Sequence, residues 1–254
     1  MALVPESPSI LAVIHRLAFV LAATALLVLA FACGSNEEAN NSSQSTVAAT
    51  SNKSVAFPSL PTSTAATTSC QAPSGTPPEV QVKSYPQRPP LTIDKSHQFI
   101  AHVYTTRGHF IIQLLPDLAP EHVNSFVFLA RDKFFNGTTF HRVIPGFVAQ
   151  GGDQTGRGNG GPGYSVPLEP SQEPFVRGIV GMARSNDPNS AGSQWFVTLG
   201  DAPNLNGSYT VFGKVVQGME VVDCLSPRDP SVNPNAPPGD AIIDLAIQEI
   251  APGG

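Results

Sequence analysis

The fold is decided by one stretch of sequence, Phe140-His141-Arg142-Val143-Ile144-Pro145-Gly146-Phe147-Val148-Ala149-Gln150-Gly151-Gly152-Asp153. Its apolar pattern on both sides of Pro145 and Gly146 predicts two short strands joined by a bend, since proline removes a ladder donor and glycine permits a sharp turn. Arg142 and Gln150 would then project from neighbouring positions beside a hollow lined by phenylalanine. An arginine there is a candidate functional group, although a solvated or salt-bridged strand arginine is the commoner case.

The residues around this stretch indicate a mainly β domain. Eight segments have strand patterns: Gln98–Tyr104, His109–Leu115, Thr138–Pro145, Phe147–Gly152, Gly178–Ala183, Gln194–Leu199, Thr210–Val216 and Ala241–Ile250. Helices are predicted from Pro120 to Lys133, with a proline in the first turn, and from Gly218 to Leu225. Eight strands with few helices favour a closed barrel, because closure removes exposed sheet edges and the helices can cover the open ends.

The N-terminal segment, residues 1–33, has the chemistry of an export signal. Arg16 precedes sixteen uncharged residues, Leu17 to Ala32, a run that is short for a membrane span. The sequence Leu29-Ala30-Phe31-Ala32-Cys33-Gly34 resembles a bacterial lipobox, which predicts lipidation of Cys33. An uncleaved anchor and ordinary signal cleavage are the alternatives. In each case we expect the rest of the chain to lie outside the cytoplasmic membrane, and the lipid or the uncleaved segment would anchor it to the cell membrane.

Residues 34–95 are rich in Ser, Thr and Pro, and they predict a disordered tether, whereas residues 96–252 are long enough to bury a core. Cys70 lies in the tether and Cys224 among apolar residues. Two interpretations of Cys224 are open. We favour a buried small hydrophobe over a disulfide with Cys70.

Composition argues against several function classes. A net charge of −5 and a pI near 5.6 give no basic footprint for nucleic acid. The six histidines show no paired spacing with a carboxylate, so we predict no metal site and no cofactor. The glycine-rich run from Gly156 to Gly163 lacks a strand-to-helix switch and is interpreted as a surface loop. Ser193 has no base at motif spacing and is interpreted as structural.

The stretch from Phe140 to Asp153 resembles the signature of the cyclophilin-type peptidyl-prolyl cis-trans isomerases. Three downstream segments support the resemblance in the family's order: Gly181–Arg184, Asn189–Phe196 and Val211–Val215. The resemblance covers essentially the whole globular region but not the tether. It implies a closed eight-stranded antiparallel β-barrel capped by two α-helices, with a peptide groove on its outer surface.

The resemblance also implies roles for individual residues. Arg142 would be the catalytic arginine, acting with Phe147 and Gln150. The substrate-binding residues would be Val148, Ala183, Arg184, Gln194, Phe196, Leu205 and Tyr209. Strict strand alternation would turn Phe147 away from Val148 and Gln150, so its place in the hollow depends on the bend before it. Cyclophilins often have methionine at Val148 and asparagine at Arg184, and some have tryptophan and histidine where Asn204 and Tyr209 stand, which alters the groove's shape and charge.

These features together predict an isomerase that assists the folding of secreted or envelope proteins. The expected partners are proline-containing peptides, unfolded client proteins and the membrane through the N-terminal lipid or anchor, with no nucleic acid and a monomeric state. The alternative is a non-catalytic proline-peptide-binding or chaperone module that uses the same groove.

Overall fold

The computed structural model describes Cys70 and residues 72–253. The predicted signal segment, Cys33 and most of the predicted tether lie outside these described residues. The strands are β1 (Gln98–Thr105), β2 (Gly108–Leu114), β3 (Arg142–Ile144), β4 (Val148–Gly151), β5 (Ile179–Met182), β6 (Trp195–Thr198), β7 (Val211–Gln217) and β8 (Ile242–Ile250). The helices are α1 (Pro120–Arg131) and α2 (Met219–Asp223), with a 3₁₀ turn at Pro203–Leu205. Within the described part, none of the helices has the length and apolar character that crossing a bilayer requires.

The eight strands form one antiparallel sheet in the order β3-β4-β6-β5-β7-β2-β1-β8. The sheet curls until the segment before β3 meets the start of β8. There the N–H of Phe140 donates to the carbonyl of Asp240 at 2.9 Å, and the N–H of Ile242 donates to the carbonyl of Thr138 at 2.8 Å. The predicted eight-stranded antiparallel architecture is therefore confirmed, and residues 138–140, predicted as strand, provide the closing contacts.

The helices form close to where the sequence predicts them. α1 begins at Pro120, and the carboxylate of Glu169 accepts hydrogen bonds from the N–H groups of Glu121 and His122, two donors that a helix start leaves unpaired. The helix ends at Arg131, two residues before the predicted end. α2 is shorter than predicted at both ends, since Gly218 stands before it as an N-cap in the left-handed conformation and Cys224 stands after it as the C-cap.

The interior of the curled sheet is filled by aromatic and aliphatic side chains. The predicted alternation in β1 is confirmed, since Phe99, Ala101 and Val103 are all fully buried. The apolar face of α1 covers this interior, and the ring of Phe126 lies 5.9 Å from the ring of Trp195. This core gives the strands a rigid base for groups on their outer faces.

A second apolar cluster lies on the outer face of the sheet. It consists of Val148, Phe175, Ile179, Phe196, Ala202, Leu205 and Val211. Ala149 and Val197 belong to the interior core, and neighbouring residues of a strand point to opposite faces, so Val148 and Phe196 must face outward. Connecting segments with few regular elements cover part of this cluster and leave the rest as the floor of a groove.

The segment 72–95, which we call the strap, differs from the disordered tether that the sequence predicts. The N–H of Ser74 donates to the carbonyl of Thr106 at 2.7 Å, and the Tyr85 hydroxyl donates to Asp132 at 2.6 Å. The side-chain oxygen of Asn124 accepts from the N–H of Thr92 at 3.0 Å. The composition of the strap does not predict this ordered conformation, because it depends on a few residues between the prolines that bind to partners distant in sequence.

The structure also corrects the interpretation of Cys224. Its sulfur is bonded to that of Cys70, which joins the chain before the strap to the C-terminal end of α2. The apolar neighbours of Cys224 led us to favour a buried hydrophobe. The local sequence around Cys224 carries no sign of its partner, because the disulfide spans 154 positions.

Candidate active site

Three polar and aromatic side chains lie in one row across neighbouring strands. Arg142 on β3 is paired with Gln150 on β4, and Gln150 is paired with Phe196 on β6. Residues directly opposite each other in antiparallel strands point to the same face of the sheet. The sheet register therefore places these three side chains together on the outer face, as the sequence predicts for Arg142 and Gln150.

The bend between β3 and β4 brings Phe147 to the same site. Gly146 has a φ of 73°, a conformation that favours glycine, and the N–H of Phe147 donates to the carbonyl of Ile144 at 3.0 Å. The guanidinium carbon of Arg142 lies 5.7 Å from the centre of the Phe147 ring, within cation–π range. The bend thus overrides strict alternation, in agreement with the position that the family resemblance implies.

The resulting cavity, which we call the hollow, has a volume of about 380 Å³. Its lining contains nine of the ten predicted catalytic and substrate-binding residues together with Asn204: Arg142, Phe147, Val148, Gln150, Ala183, Arg184, Phe196, Asn204, Leu205 and Tyr209. The Phe196 ring forms one wall, with the Tyr209 ring 5.9 Å away and nearly perpendicular. The aromatic and aliphatic part of this lining, Phe147, Val148, Phe196 and Leu205, suits a small ring or aliphatic group.

Gln194, the tenth predicted residue, lies beside the hollow and holds Gln150. The side-chain nitrogen of Gln150 donates to the Gln194 side-chain oxygen at 2.9 Å, and the Gln194 nitrogen donates to the carbonyl of Gly160 at 2.9 Å. Both glutamines border a second cavity of about 450 Å³, the side lobe, which is also lined by the loop from Gly158 to Ser165. The glycine-rich run predicted as a surface loop is therefore part of the groove's wall.

Arg184 stands where the hollow and the side lobe meet, since it lines both of them together with Gln150 and Ala183. Its guanidinium carbon lies 4.7 Å from the centre of the Tyr209 ring, and its Nε donates to the carbonyl of Ser208 at 2.9 Å. The departure at position 184 thus adds a second positive charge to the groove.

The side chain of Arg142 is not engaged by an acid. Across Cys70 and residues 72–253 it makes no ion pair and no hydrogen bond. Its charge acts at longer range on exposed Asp229, whose pKa is lowered mainly by hydrogen bonds from Ser231 and to a smaller extent by Arg142. The guanidinium is therefore free to donate to a bound molecule.

Behind this row, His141 points to the other face of its strand and is buried, as alternation predicts. Burial lowers its pKa, and the positive charges of Arg228 and Arg142 lower it further against the effect of Asp153. The imidazole is therefore neutral at pH 7. Ser193 is buried and donates to the carbonyl of Gly152 at 2.7 Å.

Asp153 organises the loop that follows β4. Burial acts to raise its pKa, but hydrogen bonds from Thr155, Gly158 and Gly160 outweigh that effect, and the pKa is lowered overall. The carboxylate thus holds the loop whose Gly160 carbonyl accepts from Gln194. No group of three or more metal-ligating side chains is placed to hold an ion among the described residues.

The sequence reasoning missed two contributors to the hollow. Phe175 is buried with its ring 5.6 Å from Phe196, and it comes from an irregular segment with no periodic signal. Gly181 lies beneath these rings, where a Cβ atom would come within 2.6 Å of both. The motif around Gly181 was noted, but its spatial role depends on the register of β5 and β6.

Comparisons with known proteins agree with this geometry. The family described as cyclophilin type peptidyl-prolyl cis-trans isomerase matches residues 100–244. A Brucella suis protein named "Probable peptidyl-prolyl cis-trans isomerase" is 48% identical over 153 residues, covering 56% of this chain and 78% of the relative. Peptidyl-prolyl cis-trans isomerase B of Bacillus subtilis is 44% identical over 132 residues, covering 48% and 92%.

The crystal structure of a Cryptosporidium parvum cyclophilin type peptidyl-prolyl cis-trans isomerase superimposes with a TM-score of 0.54 at 32% identity. The match covers 59% of this chain and 98% of that one. The sequence match, the shared fold and the arginine beside a hollow with aromatic and aliphatic walls lead to one conclusion. The chain belongs to the cyclophilin family, and it is a peptidyl-prolyl cis-trans isomerase.

Proposed function

We propose that this isomerase acts outside the cytoplasmic membrane on prolyl bonds of exported proteins, with Arg142 as its catalytic group. The observation that carries the catalytic assignment is the position of the Arg142 guanidinium, which lines the hollow and lies over Phe147. A molecule related to the substrate is known for the Cryptosporidium relative, which has also been crystallised in the presence of the dipeptide Ala-Pro.

The reaction requires rotation about one amide bond. Amide resonance sets a barrier of about 18–20 kcal/mol, and twisting the bond returns the lone pair to the prolyl nitrogen. The guanidinium of Arg142 donates better to that nitrogen in the twisted state than in the planar one. Such differential binding of the transition state lowers the barrier without a covalent intermediate, and a preorganised donor contributes about 3 kcal/mol.

The rest of the groove restricts which bond rotates. The proline ring sits against Phe147, Phe196 and Leu205, while Gln150 bonds to the adjacent backbone. Because Gln194 holds the Gln150 amide through a 2.9 Å hydrogen bond, the donor is already oriented when the peptide arrives. Fixing both sides converts tumbling of the whole peptide into rotation about a single bond.

Two observations support an extracytoplasmic location. The Cys70–Cys224 disulfide is of a kind that persists in oxidising compartments and is rare in the cytosol. The lipobox-like sequence before Cys33 and the apolar run preceding it favour export followed by lipid attachment. The clients would then be secreted or envelope proteins whose folding waits on prolyl isomerisation.

The catalytic assignment is tested with the full chain and three variants in a prolyl-peptide isomerisation assay. Arg142→Ala should lower kcat/KM by about 100-fold or more, and Arg142→Lys should retain only part of the activity, because lysine lacks the planar fork. Arg157→Ala is the matched control, since exposed Arg157 lies outside the lining of both cavities. Activity of Arg142→Ala within about threefold of the parent would refute the assignment.

The anchor and the client class need separate measurements. Intact-mass analysis of the membrane fraction should show loss of residues 1–32 and added acyl mass, and Cys33→Ala should release the protein from that fraction. Refolding of an exported protein with a proline-limited phase should accelerate with the parent and not with Arg142→Ala. Binding of the client without acceleration by the parent would instead favour the chaperone alternative.

A further inference from the structure

The groove is positively charged although the chain as a whole is acidic. Among the residues that line the hollow and the side lobe, only Arg142 and Arg184 carry a charge, and both charges are positive. The chain has a formal net charge of −5. The two arginines therefore create a local field that differs in sign from that of the whole molecule, and such a field attracts anionic groups.

Arg184 is fixed before any peptide binds. Besides its stacking on Tyr209, Nε donates to the carbonyl of Ser208, and Nη1 donates to the carbonyl of Ser185 at 2.8 Å. Within the described part of the chain, Nη2 makes no hydrogen bond and the guanidinium makes no ion pair. A held side chain with an unused donor loses little further entropy when it pairs with a ligand.

Arg184 lies where we expect the substrate residues that precede the proline to run. With the ring in the hollow and the prolyl nitrogen at Arg142, the preceding residue is attached to that nitrogen and lies on the Arg142 side. Gln150 faces Arg142 across β3 and β4 and borders both cavities. The chain before the proline therefore leads past Gln150 toward the side lobe, and Arg184 stands at that boundary.

We propose that Arg184 is a specificity-determining residue that favours substrates with a carboxylate side chain in the two residues before the proline. This inference rests on the proposed function of the groove. The carboxylate would accept a hydrogen bond from the free Nη2 and pair with the guanidinium in a half-buried setting. Because the guanidinium remains partly exposed to water, the preference is expected to be modest.

The test uses the full chain and two matched pairs of proline peptides, in which Glu replaces Gln at the first or the second residue before the proline. Exchange NMR gives kcat/KM for each peptide. The parent should isomerise the Glu peptide of at least one pair about three- to fivefold faster than its Gln partner, and about 0.5 M NaCl should reduce the ratio.

Variants distinguish a specific effect of Arg184 from a general effect of positive charge near the groove. Arg184→Gln should bring the Glu-to-Gln ratio to about 1, whereas Arg184→Lys should keep part of the preference. Arg157→Gln removes the same charge from the adjacent loop but outside both cavities, and should leave the ratio unchanged. A ratio of about 1 in the parent, or a preference that survives in Arg184→Gln, would overturn the proposal.

The same assay distinguishes a loss of selectivity from a loss of isomerase activity. If the parent isomerises Gln and Glu peptides equally, the groove still acts on prolyl bonds and only the selectivity is wrong. If it accelerates neither peptide, the proposed function itself fails.

Discussion

The disulfide between Cys70 and Cys224 leads to a quantitative prediction about stability. Its removal in the double variant C70S/C224S frees the chain before the strap from the end of α2. The strap keeps its other contacts, among them the Tyr85–Asp132 and Thr92–Asn124 hydrogen bonds. We therefore expect the native fold to persist, with the main effect in the unfolded state, where the crosslink no longer restricts the chain.

The size of the effect follows from the length of the closed loop. The two cysteines are separated by 154 positions, and closing a loop of this size lowers the free energy of folding by about 5 kcal/mol on the chain-entropy model. Removal of native disulfides typically costs about 2–5 kcal/mol. We expect the free energy of unfolding to fall by about 3–5 kcal/mol, and Tm to fall by about 10 °C.

Urea and thermal unfolding of the parent and the double variant, each with and without a thiol reductant, measure this change. Reductant should destabilise the parent and leave the double variant unaffected. The isomerase rate should stay within about twofold of the parent below the transition, because neither cysteine lines the hollow or the side lobe. A loss of less than about 1 kcal/mol in the double variant would refute the reasoning.

Three further predictions concern pH and the groove. The kcat/KM for an uncharged proline peptide should be nearly constant from about pH 6 to 9 because Arg142 stays charged, and a bell-shaped profile by exchange NMR would contradict the mechanism. The free energy of unfolding should instead fall on acidification, because folding lowers the pKa values of both His141 and Asp153. The first loss is expected below about pH 6.5, where the unfolded chain protonates His141, and the second below about pH 4, where it protonates Asp153. Urea unfolding across this range checks the prediction, which a constant free energy of unfolding would exclude. Gln194→Ala should lower kcat/KM about three- to tenfold, mainly through KM, because the Gln150 amide loses its acceptor. Equal KM values for the parent and Gln194→Ala in steady-state assays would count against this role.

Much of the fold could be predicted because its determinants are local. Alternation in β1 and the helical spacing in α1 reflect burial on one face, and both were visible in the sequence. The bend at Gly146 could also be predicted, because proline restricts the backbone and glycine permits conformations that other residues avoid. The strand ends differ by one or two residues in most cases, because the last residues of a strand are fixed by neighbours on other strands.

Other features could not be predicted because they depend on contacts between distant positions. The strap has the composition of a disordered segment, yet Tyr85 packs against Phe128 with their rings 5.0 Å apart. The disulfide and the loop that lines the side lobe likewise depend on contacts between residues that are far apart in the sequence. For the site, the family motif supplied the residues, whereas the register of β4 and β6 supplied the row that brings Gln150 and Phe196 together.

The ordered strap and its crosslink to α2 also set how far the enzyme can extend from its point of attachment. For a protein held at Cys33 as proposed, the fixed point at Cys70 lies 37 positions further along the chain. A fully extended chain spans at most about 3.4 Å per residue, which limits this distance to about 125 Å, compared with about 210 Å for a chain free as far as residue 95. The ordered strap and its crosslink together therefore shorten the working radius and keep the enzyme among newly exported chains close to the bilayer.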